Sequence, residues 1–322
     1  MEFLFVVFKH TYNFHFSGVI YMTGIRCSLE KEGFIAHYFP GTKEKTKAII
    51  VVGGASCNEA TCVSMSGYLR RAGYNVLVLG FYLWKGLSKN LARIPVEYAE
   101  RAVHWLKSTQ GIEKVAMTGA STGAGYTLVC ASLIPDITCV IPVVPFDYVM
   151  EGTSPQNKRL HCSVYTYKGE NLPYTETPML DKGMLNWLKM AATAKGYGLR
   201  RFMRFGYDYM SDSLNPESRI RVENMNADVL LLAAKNDDCW PSDVAVPRML
   251  KVFEENHYPH RVESHIYEKG SHALVDGFAE MKGLAKFLVK TMIPTEKSYP
   301  KECEEARQDS CARIIKFIEE WA

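Results

Sequence analysis

The sequence of 322 residues contains no run of eighteen apolar residues, so a membrane-spanning helix is not expected. It has no strong excess of one charge. Lys and Arg number 38 against 35 Asp and Glu, a net charge of +3, whereas a chain built to bind nucleic acid usually carries a larger basic imbalance. Its nine cysteines form no C-x-x-C pair, are odd in number and are scattered, which disfavours zinc ribbons and dithiol redox motifs. There is no H-E-x-x-H run, and neither metal nor cofactor is expected. Low-complexity and disordered classes are excluded, because 47% hydrophobic and 23% charged residues are ordinary globular usage. The length suits one large domain, or a core with an insertion.

Residues Met1 to Met22 are rich in Phe and Tyr, and Lys9 and His10 end a short apolar run, Phe3–Phe8. No basic n-region, long apolar stretch or small-residue cleavage site is present, so a signal peptide is not predicted. Residues 1–24 are expected to be a poorly ordered extension, with Met22 an alternative start. Cys130 and Cys139 lie inside apolar runs, where reduced cysteine behaves as a small hydrophobe. Together with the absence of a cysteine framework, this predicts a reducing, cytoplasmic location.

From Gly33 onward strand-like and helix-like segments alternate. Ala48–Val52, Asn75–Leu79, Lys114–Thr118, Cys139–Val144, Asp228–Ala233 and Arg261–Tyr267 are compact runs rich in β-branched residues. Helices are predicted over Cys62–Ala72, from Pro95 through Lys107, over Gly123–Leu133, over Ser242–His257 with Ser242 as N-cap, over Gly277–Thr291 and within Lys301–Trp321. The rhythm breaks from Glu151 to about Met225, where only Asn186–Ala194 looks helical. The expectation is an α/β domain over 25–322, with a mostly parallel sheet, helices on both faces and a cap inserted at about 148–225.

The strongest chemical signal is Gly119-Ala120-Ser121-Thr122-Gly123, which follows a strand (KVAMT) and opens a helix (GAGYTLVCASL). That is the setting of a G-x-S-x-G nucleophile elbow. A sharp strand-to-helix turn presents the serine hydroxyl beside a helix N-terminus, whose N–H groups favour a developing oxyanion. Such a serine needs an acid and then a histidine further along the chain. His265 lies inside a predicted strand, whereas His272 lies in the loop beyond it and is the better base. The acid should follow Asp228–Ala233, where the adjacent Asp237 and Asp238 compete for the place. The second oxyanion donor is expected in the loop Gly53–Asn58, from Ala55 or Ser56, to join Thr122. Cys57 and Cys62 have no elbow around them.

Taken together, these residues resemble the α/β-hydrolase fold. More narrowly, the chain resembles the C-terminal domain shared by acyl-CoA thioesterases and bile acid-CoA:amino acid N-acyltransferases, in its stand-alone bacterial form. GASTGAG (119–125), VYTYKGENLPY (164–174), LLLAAKNDDCWPS (230–242) and YEKGSHAL (267–274) carry the likeness, which runs from about Val51 to Val289. It implies a triad of Ser121, Asp237 and His272 and an acyl-CoA substrate. Two departures stand out. Too few residues precede Val51 for the β-sandwich domain of two-domain members, and Ala234 replaces the glycine expected before the acid loop. The amino acid acyltransferase members use cysteine as nucleophile, so serine here favours transfer to water.

Three functions follow in order: a serine hydrolase of thioesters or esters, an amidase or acyltransferase with the same triad, and a non-catalytic binding protein on the same fold. The expected partner is a small acyl thioester or ester, with no nucleic acid and no membrane span. The six basic residues Lys182, Lys189, Lys195, Arg200, Arg201 and Arg204 are expected mainly to form a solvated helix face, with coenzyme A phosphates as the alternative. Trp240 and Tyr126 are expected either to line an acyl pocket or to pack in the core.

Overall fold

The structure, a computed structural model, describes residues 24–43, 45–55, 57–275 and 293–321. The expected N-terminal extension, apart from Gly24, and the predicted helix Gly277–Thr291 lie outside the described residues.

An eight-stranded sheet forms the centre. In chain order its strands are β1 (Ile25–Cys27), β2 (Ile35–Phe39), β3 (Lys47–Val52), β4 (Asn75–Gly80), β6 (Lys114–Ala120), β7 (Ile137–Val143), β12 (Asp228–Ala234) and β13 (Val262–Tyr267). Their spatial order is β1-β2-β4-β3-β6-β7-β12-β13. β2 is antiparallel to both β1 and β4, and every other neighbouring pair is parallel. The AIIVV, NVLVL and DVLLLA runs are continuously apolar after their leading Asn75 and Asp228 because both sheet faces are covered. In β3, Ile49 and Val51 face one core while Ala48, Ile50 and Val52 face the other.

The first core packs against α3 (Glu97–Gln110), α4 (Thr122–Leu133) and α7 (Ser242–Glu255). The second packs against α1 (Glu59–Met65), α2 (Gly67–Arg71) and α9 (Pro300–Glu320), which follows the short α8 (Pro294–Ser298). The helix predicted over Cys62–Ala72 is thus two helices. Ser66 stands at the break, its hydroxyl donating to Val63 O at 2.8 Å, the local bond by which serine competes with helical pairing.

Pro95 does not open α3. It lies in a two-residue strand, β5 (Ile94–Pro95), parallel to β10 (Tyr165–Tyr167). Its carbonyl accepts the Tyr126 hydroxyl at 2.6 Å. Between β7 and β12, where no strand period was legible, there are also β8 (Glu151–Thr153), β9 (Arg159–Ser163) and β11 (Glu170–Asn171), followed by α5 (Met184–Thr193) and α6 (Phe202–Tyr209). These strands form small two- and three-stranded sheets, too short to show alternation.

Candidate active site

β3, β6, β7, β12 and β13 run in one direction, so the loops after them gather at one edge of the sheet, where open α/β sheets bind ligands. Ser121 stands at the turn from β6 into α4. Its backbone has φ 59° and ψ −124°, a strained conformation for a residue with a side chain and the kind held in place at functional turns. The neighbours explain how the turn is tolerated. A Cβ on Gly123 would lie 2.2 Å from Gly53 O, and one on Gly119 would lie 2.4 Å from Gly123 O. Only glycine lets α4 start that close to the strand.

Gly54 borders the serine: a Cβ there would sit 3.3 Å from Ser121 Cβ. The loop after β3 therefore runs beside the serine. Thr122 is the first residue of α4. Ala55 is exposed in a turn of the loop, and Ser56 lies outside the described residues. Cys57 contacts Met65, Sγ to Sδ at 3.7 Å, and its thiol is drawn down by a hydrogen bond from the Cys62 thiol.

The acid loop follows β12. Asp237 is fully buried. Its Oδ1 lies 2.8 Å from His272 Nδ1 and accepts the N–H groups of Cys239 at 2.9 Å and Trp240 at 3.3 Å. Its Oδ2 accepts the Ser242 hydroxyl at 2.8 Å. Ser242 therefore does not cap α7; it is the first helical residue, and its side chain serves the carboxylate. Asp238 is also buried but faces away, accepting Thr295 N–H at 3.0 Å and pairing with Arg201 Nε at 3.1 Å. Burial pushes its carboxyl above the ordinary range, against the pull of the Thr295 bonds and Arg201.

His272 lies beyond β13, with only 15% of its side chain exposed. The Trp240 ring meets it edge-on at 5.7 Å. Trp240 Nε1 donates to Val144 O at 2.9 Å, and Ser121 N–H donates to the adjacent Val143 O at 3.0 Å. The elbow serine and Trp240 of the acid loop thus bond to two consecutive carbonyls at the end of β7. Trp240 also faces Phe146 at 6.0 Å and Tyr207 of α6 at 5.6 Å, an aromatic wall beside the histidine. Tyr126, by contrast, is fully buried core. His265 sits in β13, its ring against Tyr267 at 4.4 Å.

The basic run is not simply a solvated face. Arg204 is buried, donates to Asp208 at 2.7 Å and Asp243 at 2.8 Å, and reaches the carbonyls of Asp237 at 3.4 Å and Trp240 at 3.3 Å. With Arg201 on Asp238, two of the six basic residues hold the acid loop, a role that sequence spacing gives no hint of. Lys182, Lys189, Lys195 and Arg200 are exposed. Among the described residues one group has metal-ligand proximity: donor atoms of Asp237, Cys239 and His272 lie within 4.8 Å of one another. His257 and His260, an H-x-x-H spacing, sit just after α7 and belong to no such group.

With this geometry in view, comparison with known proteins is informative. The family described as BAAT / Acyl-CoA thioester hydrolase C terminal matches residues 94–292. The chain belongs to this family. A curated relative, the peroxisomal succinyl-coenzyme A thioesterase of Mus musculus, is 24% identical over 182 residues, covering 56% of this chain and 38% of that protein. The chain therefore aligns with well under half of that relative's length. Among solved structures, a candidate dienelactone hydrolase from Klebsiella pneumoniae subsp. pneumoniae superposes with a TM-score of 0.53 at 12% identity, covering 92% of this chain and 98% of that one. The acylaminoacyl peptidase of Pyrococcus horikoshii gives 0.50 at 13% identity, covering 89% and 39%. At such identities these structures speak to the fold, which is that of the α/β-hydrolases. Among the described residues no helix is long and apolar enough to cross a membrane.

Proposed function

We propose that this family member is a serine hydrolase that cleaves an acyl thioester or ester through an acyl-enzyme. The observation that carries the reading is the elbow serine, in its strained backbone, on the same sheet edge as a histidine bonded to a buried carboxylate. In this scheme Ser121 Oγ attacks the acyl carbonyl while His272 Nε2 takes its proton. Asp237 holds the ring through Nδ1 and stabilises the imidazolium. The oxyanion accepts the N–H of Thr122 and a second N–H from the loop after β3. His272 then returns the proton to the leaving group, and water repeats the sequence on the acyl-serine. Family membership and the succinyl-coenzyme A thioesterase relative support an acyl-CoA thioester as substrate, and the residues between β7 and β12 are read as the cap over it.

The test is a panel of acyl-CoA thioesters, p-nitrophenyl esters and acyl-amino acids, with thiol or phenolate release as readout, beside labelling by a fluorophosphonate probe. The expected result is thioester hydrolysis and probe attachment at Ser121. Ser121→Ala should lower kcat on the order of 10⁴–10⁶-fold with the fold retained. A folded Ser121→Ala protein keeping more than about a tenth of the activity would remove the assignment.

A further inference from the structure

Asp237 and His272 stand in separate loops, yet one short segment holds both. Thr295, buried in α8, donates its N–H to Asp238 Oδ2 at 3.0 Å and its hydroxyl to Asn236 O at 2.8 Å. Asn236 and Asp238 are the two chain neighbours of Asp237. The next residue, Glu296, is 1% exposed and accepts the Ser271 hydroxyl at 2.5 Å. The same Ser271 oxygen accepts the Ala273 N–H at 3.1 Å. Ser271 and Ala273 are the two chain neighbours of His272.

α9 backs this bracket. Arg307, 3% exposed, donates to Glu296 Oε1 at 2.5 Å and to Ala273 O at 3.2 Å. Ser310 donates to Leu274 O at 2.5 Å. Consecutive residues of one element thus bond to both neighbours of the acid, and to one neighbour of the base whose hydroxyl bridges to the other.

We infer that Thr295 and Glu296, backed by Arg307, are positioning residues that fix the Asp237–His272 pair relative to each other. The inference rests on the triad reading proposed above. Its physical basis is that apolar side chains could fill the same volume without the desolvation that a buried ion pair suffers, but they could not aim the Ser271 hydroxyl or the Asn236 carbonyl. Hydrogen bonds in a dry interior are stiff and directional. A misplacement of about 1 Å at the reacting groups costs on the order of 10²-fold in rate.

Removing Glu296 alone would leave the buried Arg307 with only Glu304 as a carboxylate partner and threaten the fold, so the test uses milder changes: Thr295→Val, Ser271→Ala, their combination, and Thr295→Ser as the conservative control. The readouts are kcat and KM on a p-nitrophenyl ester, the rate of fluorophosphonate labelling at Ser121, the downfield proton resonance of the Asp237–His272 bond, and Tm. Thr295→Val and Ser271→Ala should each lower kcat about tenfold or more, and together approach 10²-fold, with KM within about twofold. The labelling rate should fall in parallel and the downfield proton should broaden, while Thr295→Ser stays near the wild type. Folded variants that keep the wild-type kcat and labelling rate, with only a lower Tm, would overturn the positioning role and leave the triad standing. A wild-type protein not labelled at Ser121 would overturn the triad reading and this inference with it.

Discussion

Asp237 and Asp238 are chain neighbours whose surroundings give them different work. Asp237 takes His272 Nδ1, two backbone N–H groups and the Ser242 hydroxyl; Asp238 takes Thr295 and Arg201. Asp237→Asn should lower kcat by about 10⁴-fold, as loss of an orienting carboxylate has done elsewhere. Asp238→Asn keeps an acceptor for the Thr295 N–H and should cost less than about tenfold in kcat, with a Tm loss of about 2–4 °C, equivalent to about 1 kcal/mol. Steady-state kinetics and thermal melts of the two variants check both statements. The Asp238 carboxyl has a further signature. Burial raises its folded pKa, so it favours the native state while protonated, and that contribution is lost as pH rises through the raised value. Wild-type stability relative to Asp238→Asn should therefore fall as pH rises out of the ordinary carboxylate range, measured by urea unfolding across pH. The family likeness pointed to Asp237, but the sequence carried no sign that Asp238 is buried, because its hydrogen-bond donor Thr295 lies 57 residues away.

At the scale of elements, the junction of β6 and α4 is the most legible piece of the chain, because strand, glycine-flanked turn and helix follow one another in consecutive residues. Adding a Cβ at Gly123 drives it into the Gly53 carbonyl, which is backbone and cannot swing aside. Gly123→Ala is therefore expected to destabilise by about 3 kcal/mol or more and to depress activity by shifting the start of α4; chemical denaturation and kcat measure the two effects. Ser242 shows the opposite case. Its position before an apolar-periodic run marks an N-cap, and only the approach of Asp237 turns its hydroxyl elsewhere. The short strands between β7 and β12 are illegible in the sequence for a related reason: Arg159–Ser163 is mostly half-exposed, so no hydrophobic alternation records its pairing with β8.

At the scale of the whole molecule, the C-terminal helix closes the second core and braces the histidine loop. Trp321, 2% exposed, packs with Phe317, Ile318 and Ile314 beneath β3 and its neighbours. Its carbonyl accepts Lys47 Nζ at 2.5 Å, and that ammonium lies 5.3 Å from the centre of its ring. Trp321→Ala should cost about 3–5 kcal/mol, read as a lower midpoint in urea. The sequence by itself determined the parallel strands and the strand–turn–helix setting of Ser121, and it pointed to Asp237 and His272 as candidates, because β-branched runs and a glycine-flanked turn are written in consecutive residues. The tertiary structure alone decided that Arg204 and Arg201 hold the acid loop, that Ser242 serves Asp237, and that Thr295 and Glu296 bond beside Asp237 and His272. Most of those contacts join polar groups far apart in the chain, and Ser242, five residues from Asp237, reaches it only through the fold of the loop between them. Burial gives them their strength, and burial of an isolated polar residue leaves no periodic mark in the sequence.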